Sequence, residues 1–421
     1  MRSDNWRYGE LGSYSIVEMG QSPPGSSCNA EQRGMPLLNG PTEFGSKYPT
    51  PKQWTTEPKR ICRPGDLLFC VRGSTTGRMN WADQTYAIGR GLAAIRHVEG
   101  AEYQHFLKGA IDAGLEGLLQ MATGSTFPNV SKPQILSLRS PIPPVPEQRS
   151  IAATLSCLDD KIELNNRMNK TLEEMAQALF KSWFVDFDPV KAKMEGREPT
   201  GMDAETATLF PDEFEDSELG PIPKGWPCLT FGDVVKRCTL RTGSELMPVL
   251  SAVKTGELVQ SDEYFSKRVY SNDTAKYIIV EPLDFAYNPA RINIGSIGIN
   301  RTGSAGCVSP VYVVFRARDT YQNYLDLLIR QDRLRSEIAS RSSGSVRQTL
   351  DFVAFAGIRV AVPEFSVVDR FNSELGALRA TTRGLQEETE SLSTIRDTLL
   401  PKLMSGEIRV PEAEDILEEV L

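Results

Sequence analysis

Apolar residues recur in two segments with the alternating four- and three-residue spacing of a coiled-coil helix. In the first segment the spaced positions are Ile151, Leu155, Leu158, Ile162, Asn165, Asn169, Leu172, Ala176, Leu179 and Trp183. The pattern returns 220 residues later at Phe371, Leu375, Leu378, Thr382, Leu385, Thr389, Leu392, Arg396, Leu399 and Leu403. Two matching amphipathic helices in one chain are most simply buried against each other, and each would span roughly 55 Å at 1.5 Å per residue.

Some positions of this seam are polar. A buried asparagine at Asn165 or Asn169 would cost stability while fixing the register and the partner of the helix. The alternative is that both residues face solvent where the coil opens, and the sequence leaves the two possibilities open. Arg396 interrupts the second stripe, where the neighbouring Ile395 is the candidate for the inward position.

The rest of the chain has short apolar runs separated by Gly and Pro, which predicts a mixed α+β globule. Strands are expected at 67–71, 92–95, 283–287 and 311–315, and helices at 105–121 and 323–338.

This globular pattern occurs twice. Four pairs stand 220 residues apart: Trp6 and Trp226, Gly12 and Gly232, Gly124-Ser125 and Gly344-Ser345, and Pro143 and Pro363. A weaker match relates Pro64-Gly65-Asp66-Leu67 to Pro282-Leu283-Asp284-Phe285. Self-similarity at this length indicates two copies of one domain related by approximate two-fold symmetry, with different residues on their surfaces.

The predicted organisation alternates globules with helices. Its boundaries are 1–146 for the first globular domain, 147–185 for the first spacer helix, 186–222 for an acidic linker or partly ordered strap, 223–363 for the second domain, 364–405 for the second helix and 406–421 for an acidic tail. The net charge of −8 argues against nucleic acid at first sight, but residues 186–218 alone carry −8 and the tail −5. The remainder is therefore basic by +5, and local charge governs phosphate binding.

The sequence lacks the motifs of several common cofactor and metal sites. There is no P-loop and no Cys-x-x-Cys, and His97 and His105 are the only histidines, so ATP binding and a zinc site are not expected. Gly89-Arg90-Gly91 resembles a dinucleotide fingerprint, but a strand is expected after it rather than a helix. Asn288-Pro289-Ala290-Arg291 resembles a methyltransferase element and is better explained as a turn after a strand. No catalytic or metal-ligating constellation is predicted.

The compartment follows from the cysteines and the hydropathy pattern. The seven cysteines are an odd number, which suits free thiols in a reducing cytoplasm. No run of 18 apolar residues and no signal peptide is evident, so a cytoplasmic protein is expected.

Polar and basic residues in Gly-rich loops are candidates for DNA contact, because Arg pairs with guanine edges, Asn with adenine, and Ser or Thr with phosphates or bases. The candidates are Lys47, Arg72, Arg78, Asn80, Arg90, Ser125 and Thr126 in the first copy and Arg241, Lys254, Arg291, Asn293, Arg301, Ser345 and Arg347 in the second. Any single one of these residues is also explained as solvated surface. The hypothesis of DNA contact therefore rests on each group of residues taken together.

The chain resembles the specificity subunit of a type I restriction–modification system over essentially all of its length. The resemblance rests on the repeat and on four segments: 141–148 (PIPPVPEQ), 178–190 (ALFKSWFVDFDPV), 219–226 (LGPIPKGW) and 399–408 (LLPKLMSGEI). One departure is visible, since Val362-Pro363-Glu364-Phe365 stands where the first copy has Pro-Pro-Val-Pro-Glu-Gln.

The resemblance implies two target-recognition domains joined by an antiparallel coiled coil, with each domain reading one half of a bipartite DNA sequence. It also implies two modification subunits that bring S-adenosylmethionine and methylate adenine, and two restriction subunits that bring ATP and Mg²⁺. This chain would hold no cofactor and catalyse nothing. Two other functions remain open on the residues alone: a self-sufficient DNA methyltransferase, against which the missing donor motifs count, and a coiled-coil scaffold without a DNA role.

Overall fold

The structure is a computed structural model and describes residues 5–122, 128–265, 267–342 and 349–418. The chain divides into two compact units. Unit 1 comprises Met1–Lys170 and Thr382–Leu421, and unit 2 comprises Thr171–Thr381.

In the N-terminal segment of unit 1, the described residues form ten strands and two helices before the first long helix. They are β1 (Arg7–Glu10), β2 (Ser15–Met19), β3 (Cys28–Asn29), β4 (Met35–Leu38), β5 (Gln53–Thr55), β6 (Leu67–Cys70), β7 (Met79–Trp81), β8 (Ala87–Ile88), β9 (Leu92–His97), α1 (Gln104–Gln120), α2 (Lys132–Leu136) and β10 (Arg139–Ile142). A long helix, α3 (Val145–Phe184), follows.

The central sheet of unit 1 is antiparallel and has the strand order β2-β9-β6-β7. A second sheet has the order β3-β5-β4-β8, and β1 pairs with β10. Leu67 and Phe69 of β6 face one core cluster and Leu68 and Cys70 face another. Burial on both faces explains why this strand is a continuous apolar run rather than an alternating one.

Unit 2 begins with the C-terminal part of α3 and continues through the following elements: α4 (Asp188–Met194), α5 (Ala204–Thr208), β11 (Phe214–Ser217), β12 (Gly220–Pro223), β13 (Cys228–Thr230), α6 (Phe231–Val234), β14 (Val235–Cys238), β15 (Leu250–Ala252), β16 (Leu258–Gln260), α7 (Ser261–Tyr264), β17 (Ile278–Val280), β18 (Phe285–Tyr287), β19 (Ile297–Ile299), β20 (Gly306–Val308), β21 (Val313–Ala317), α8 (Gln322–Ile329), α9 (Asp332–Arg341), α10 (Phe352–Ala356) and β22 (Arg359–Ala361). The second long helix, α11 (Phe365–Ser405), begins in unit 2 and from Thr382 onward belongs to unit 1, which also contains α12 (Val410–Glu418).

The topology of unit 1 recurs in unit 2. Its central sheet has the order β14-β21-β18-β19, and β13 pairs with β22 as β1 pairs with β10. Equivalent hydrogen bonds join the Leu11 N–H to the Leu138 carbonyl at 2.8 Å and the Phe231 N–H to the Ile358 carbonyl at 2.9 Å. The predicted α+β class is confirmed, and each unit carries one copy of the repeated topology.

A buried aspartate that pairs with an arginine marks both copies at the weaker sequence match. Arg96 donates from Nε and Nη2 to the two carboxylate oxygens of Asp66, at 2.8 and 2.6 Å. Arg316 makes the same bidentate contact with Asp284, at 2.5 and 2.8 Å. Each aspartate also accepts a backbone N–H three residues upstream, so the carboxylates are fully engaged.

We expect Asp66→Ala to destabilise the chain by about 3 kcal/mol, because it leaves the Arg96 guanidinium partly buried without its carboxylate. The control is Glu18→Ala, which removes an exposed pair with Arg60 and should cost about 1 kcal/mol or less. Urea unfolding of both variants measures the difference. Equal shifts in the unfolding midpoint would show that the buried pair contributes no more than a surface pair.

The two long helices pair in antiparallel fashion within each unit. In unit 1, Arg396 donates to Asp159 at 3.1 Å and Asn165 to Glu388 at 2.7 Å. In unit 2, the Phe371 ring packs against Phe184 with a centroid distance of 5.0 Å. All of the predicted seam positions are buried or half-buried. Asn165 is fully buried, so it does not face solvent, and Ile395 packs against the core of unit 1.

Three local expectations differ from the structure. The helix expected at 323–338 is two helices, because the backbone at Gln331 is extended (φ −71°, ψ 141°) and caps α9. The strand expected at 311–315 is β21, two residues later, and Val311 is exposed. The segment expected as a linker at 186–222 contains α4, α5, β11 and β12, and Phe210 packs into the core of unit 2.

Candidate nucleic-acid interface

One edge of the central sheet in unit 1 gathers several loops. The pairs Met19↔Ala93, Cys70↔Leu92 and Phe69↔Met79 place the end of β2, the end of β6 and the starts of β7 and β9 together. We call this the loop edge of unit 1, and it comprises residues 20–24, 71–78 and 89–91.

Three predicted arginines lie on these loops, and all are exposed: Arg72, Arg78 and Arg90. Hydrogen bonds from the Val71 N–H to the Gly91 carbonyl (3.0 Å) and from the Cys70 N–H to the Arg78 carbonyl (2.8 Å) hold the loops against one another. Among the residues that the structure describes, none of the three arginines forms an ion pair. Their guanidinium groups therefore remain available to phosphates or guanine edges.

Lys47 and Asn80 are placed differently from the arginines. The Lys47 ammonium contacts Asp160 of α3 at 2.5 Å. Asn80 is buried and donates to the Gly45 carbonyl at 3.0 Å. Both side chains are thus engaged within unit 1. Ser125 and Thr126 lie outside the described residues.

The loop edge of unit 2 is built in the same way. Tyr287 pairs with Ile297 and with Val313, and Cys238 with Val314. The segment 288–296 joins β18 to β19 there, and the Asn288 N–H donates to the Ser296 carbonyl at 3.0 Å, as Cys70 does to Arg78.

The candidates of unit 2 are divided between the two ends of its sheet. Arg291 and Asn293 lie exposed on the 288–296 loop, and the exposed Arg241 follows β14. Lys254 is exposed and lines a cavity together with Asn293. Arg301, by contrast, follows the opposite end of β19 and its Nη2 donates to Asp326 at 2.6 Å. Ser345 and Arg347 lie outside the described residues.

Exposed apolar side chains that were not predicted to contact DNA accompany these cations in unit 2. Leu240 is 69% exposed, Leu246 96% and Ile294 58%. In the sequence, the signal for exposure was the position of apolar residues beside turn-forming residues such as Thr242, Gly243 and Ser244. Such side chains can contact thymine methyl groups or enter between base steps.

The two histidines are part of the fold. The His105 ring packs on Trp81 with a centroid distance of 4.8 Å and lies 3.9 Å from Asp159. Burial lowers the pKa of His105 below its ordinary value, which favours a neutral ring. His97 contacts Gln148 at 2.9 Å, and burial lowers its pKa as well. Within the described ranges, no group of three His, Cys, Asp or Glu residues is arranged to hold a metal ion.

Comparison with known proteins agrees with this architecture. The profile of the type I restriction modification DNA specificity domain matches residues 4–174. A putative type I restriction enzyme MjaX specificity subunit of Methanocaldococcus jannaschii is 34% identical over 173 residues, which cover 41% of this chain and 40% of that protein. The MjaIX specificity subunit of the same organism is 26% identical over 374 residues, covering 84% of this chain and 80% of the relative.

The predicted resemblance is confirmed: the chain is similar to type I restriction–modification specificity subunits. The crystal structure of the S subunit from M. genitalium shares the fold, with a TM-score of 0.57 at 16% identity, over 96% of this chain and 97% of that one. Among the described residues, no helix is both long and apolar enough to cross a membrane.

Proposed function

We propose that this chain is the non-catalytic, DNA sequence-recognition subunit of a type I restriction–modification complex and works in the cytoplasm. The observation that carries the proposal is that the same sheet edge presents loops in both copies while the side chains on those loops differ. Unit 1 offers Arg72, Arg78 and Arg90, and unit 2 offers Arg241, Arg291 and Asn293. Different side chains on one repeated frame suit two different half-sites of an asymmetric bipartite target.

The long helices act in this proposal as an antiparallel spacer between the two target-recognition domains. Their seam side chains are buried or half-buried, whereas Leu164 and Met168 of α3 are 49% and 41% exposed. An exposed apolar pair, four residues apart on one helix, suits docking of another protein. We propose that two modification subunits dock along the helices and domains, and that two restriction subunits join them.

The chemistry belongs to the partners. The modification subunits supply S-adenosylmethionine for adenine methylation, and the restriction subunits supply ATP and Mg²⁺. The residues of this chain contribute the choice and orientation of the DNA, through loops that contact bases and phosphates.

Mapping of adenine methylation tests the proposal. We expect a host that expresses this chain with its modification subunit to carry methylated adenines at one split, asymmetric motif, and to lose them when this gene alone is deleted. Exchange of residues 1–146 for those of a relative should change one half of the motif only. Methylation that is indifferent to the deletion, or an exchange that alters both halves, would contradict the proposal. Methyl transfer by the purified chain alone would instead indicate an enzyme.

A further inference from the structure

Unit 2 contains a cavity of about 490 Å³ between its central sheet and helices α8 and α9. Its apolar lining comes from both sides: Phe285, Ile292, Ile297, Ile329 and Ile338. The polar lining includes the cations Lys254, Arg330 and Arg335. A concave apolar space of this size with a few convergent polar groups is typical of small-molecule sites.

The equivalent place in unit 1 is occupied by leucine side chains. Gly77 and Gly295 hold the same position in the two copies, each one residue before the loop-closing hydrogen bond and each with a left-handed backbone (φ 94° and 91°). A Cβ atom at Gly77 would lie 3.2 Å from Leu115 and 3.5 Å from Leu119 of the unbroken α1. A Cβ at Gly295 would meet only Lys254 within 4 Å. The helix break between Ile329 and Asp332 therefore accompanies an opening that the first copy lacks.

The wall of this cavity carries an excess of positive charge. Among the described residues that line the cavity, Asp326 is the only acidic one, and it already contacts Arg301 at 2.6 Å, Arg330 at 2.9 Å and Arg379 at 3.6 Å. Burial, followed by the neighbouring Arg301, lowers the pKa of Arg379 to about 10, although Asp326 and Glu173 act in the opposite direction. One buried carboxylate thus faces three guanidinium groups.

Two further cations stand at the cavity without such compensation. Lys254 and Arg335 are both exposed, and neither forms an ion pair with any residue in the described part of the chain. An apolar interior beside uncompensated cations suits a ligand with a flat apolar body and a compact anionic group.

We propose that this cavity binds a free nucleoside monophosphate, with the base between Phe285 and the isoleucines and the phosphate at Lys254 and Arg335. The proposal does not require that the arginine-bearing loops recognise DNA. Ile292, Ile294 and Gly295 line the cavity and belong to the same loop as Arg291. A bound nucleotide would therefore restrict the loop that presents Arg291.

Calorimetric titration of the purified full chain tests the site, with AMP, GMP, CMP and UMP as probes. We expect at least one nucleotide to bind with 1:1 stoichiometry, and its nucleoside and inorganic phosphate each to bind at least about tenfold more weakly. No binding by any of the four nucleotides would overturn the proposal. Equal binding of inorganic phosphate would also overturn it, because the apolar lining would then contribute nothing.

Variants locate the nucleotide. The double substitution Lys254→Gln/Arg335→Gln should weaken nucleotide binding about tenfold or more, since each cation is a charge-assisted donor. Arg333→Gln on the same helix is the control, because Arg333 pairs with Glu337 at 3.7 Å and does not line the cavity. Ile294→Trp, at a 58% exposed position on the cavity wall, should obstruct binding without disturbing the core. Nucleotide binding that survives both the double substitution and Ile294→Trp would place the ligand elsewhere and refute the assignment.

Discussion

Replacement of Arg72, Arg78 and Arg90 by glutamine should weaken target binding by at least about 100-fold. The three side chains are exposed on neighbouring loops at the loop edge of unit 1. Backbone hydrogen bonds hold these loops together. A paired contact between arginine and guanine is worth about 1–3 kcal/mol, and three such losses exceed about 3 kcal/mol. If an arginine contacts a phosphate instead, its replacement should reduce the slope of log affinity against log salt concentration by about one unit.

Fluorescence anisotropy of the assembled modification complex on its methylation target, at several salt concentrations, measures both quantities. The matched control replaces Arg7, Arg139 and Arg149 by glutamine. These residues are also exposed, but they lie on β1, β10 and the start of α3. The control removes the same charge, so equal losses in the two triple variants would mean that only the overall charge matters and that the loop edge is not the interface.

The long helices and the repeat could be predicted from the sequence because their periodicity records burial directly. Each four- or three-residue step of the seam returns a side chain to the same helix face, and positions such as Leu155 and Leu399 are accordingly buried. The repeat was visible at residues that make the same structural contact in both copies. Asp66 and Asp284, for example, are both buried, and each binds an arginine of the central sheet.

The fate of individual polar side chains could not be predicted in this way. Lys47 and Arg301 occur among Gly-rich loop residues just as Arg72 does, yet they contact Asp160 and Asp326. These acidic partners lie far away in the sequence, and only the fold brings them close. Local composition identifies a loop with cations, whereas the distance to the nearest carboxylate decides which cation remains available to DNA.

The interrupted helix and the folded linker show a second limit. The apolar spacing of 323–338 continues across Gln331, so periodicity alone predicts one helix, while the extended backbone there starts a second. The segment 186–222 is acidic and rich in Pro and Gly, which favours a linker. Phe210 nevertheless anchors it, packing edge-on against Trp183 at 5.1 Å. Isolated aromatic residues in this polar stretch indicated that it packs against a core. Hydrophobicity averaged over a sequence window does not show them.

Deletion of residues 165–171 together with residues 382–388 should shorten the gap between the two half-sites by about three base pairs. The deletion removes one heptad from each helix, and its limits follow the observed antiparallel register, in which Asn165 contacts Glu388. A heptad contributes about 10 Å of helix, and one base pair advances the duplex by about 3.4 Å. Neither half-site should change, because both loop edges keep all of their residues.

Methylation mapping of a host that carries the deletion variant reads the gap and the half-sites in one experiment. The control deletes only residues 165–171, which shortens one helix and breaks the register with its partner. The seam side chains of α3 and α11 would then no longer meet, so we expect the control to lose methylation instead of acquiring a shorter motif. A shorter motif in the double deletion together with loss in the single deletion requires the paired helices to set the spacing. An unchanged gap in the double deletion would show that the recognition domains reach their half-sites independently of helix length.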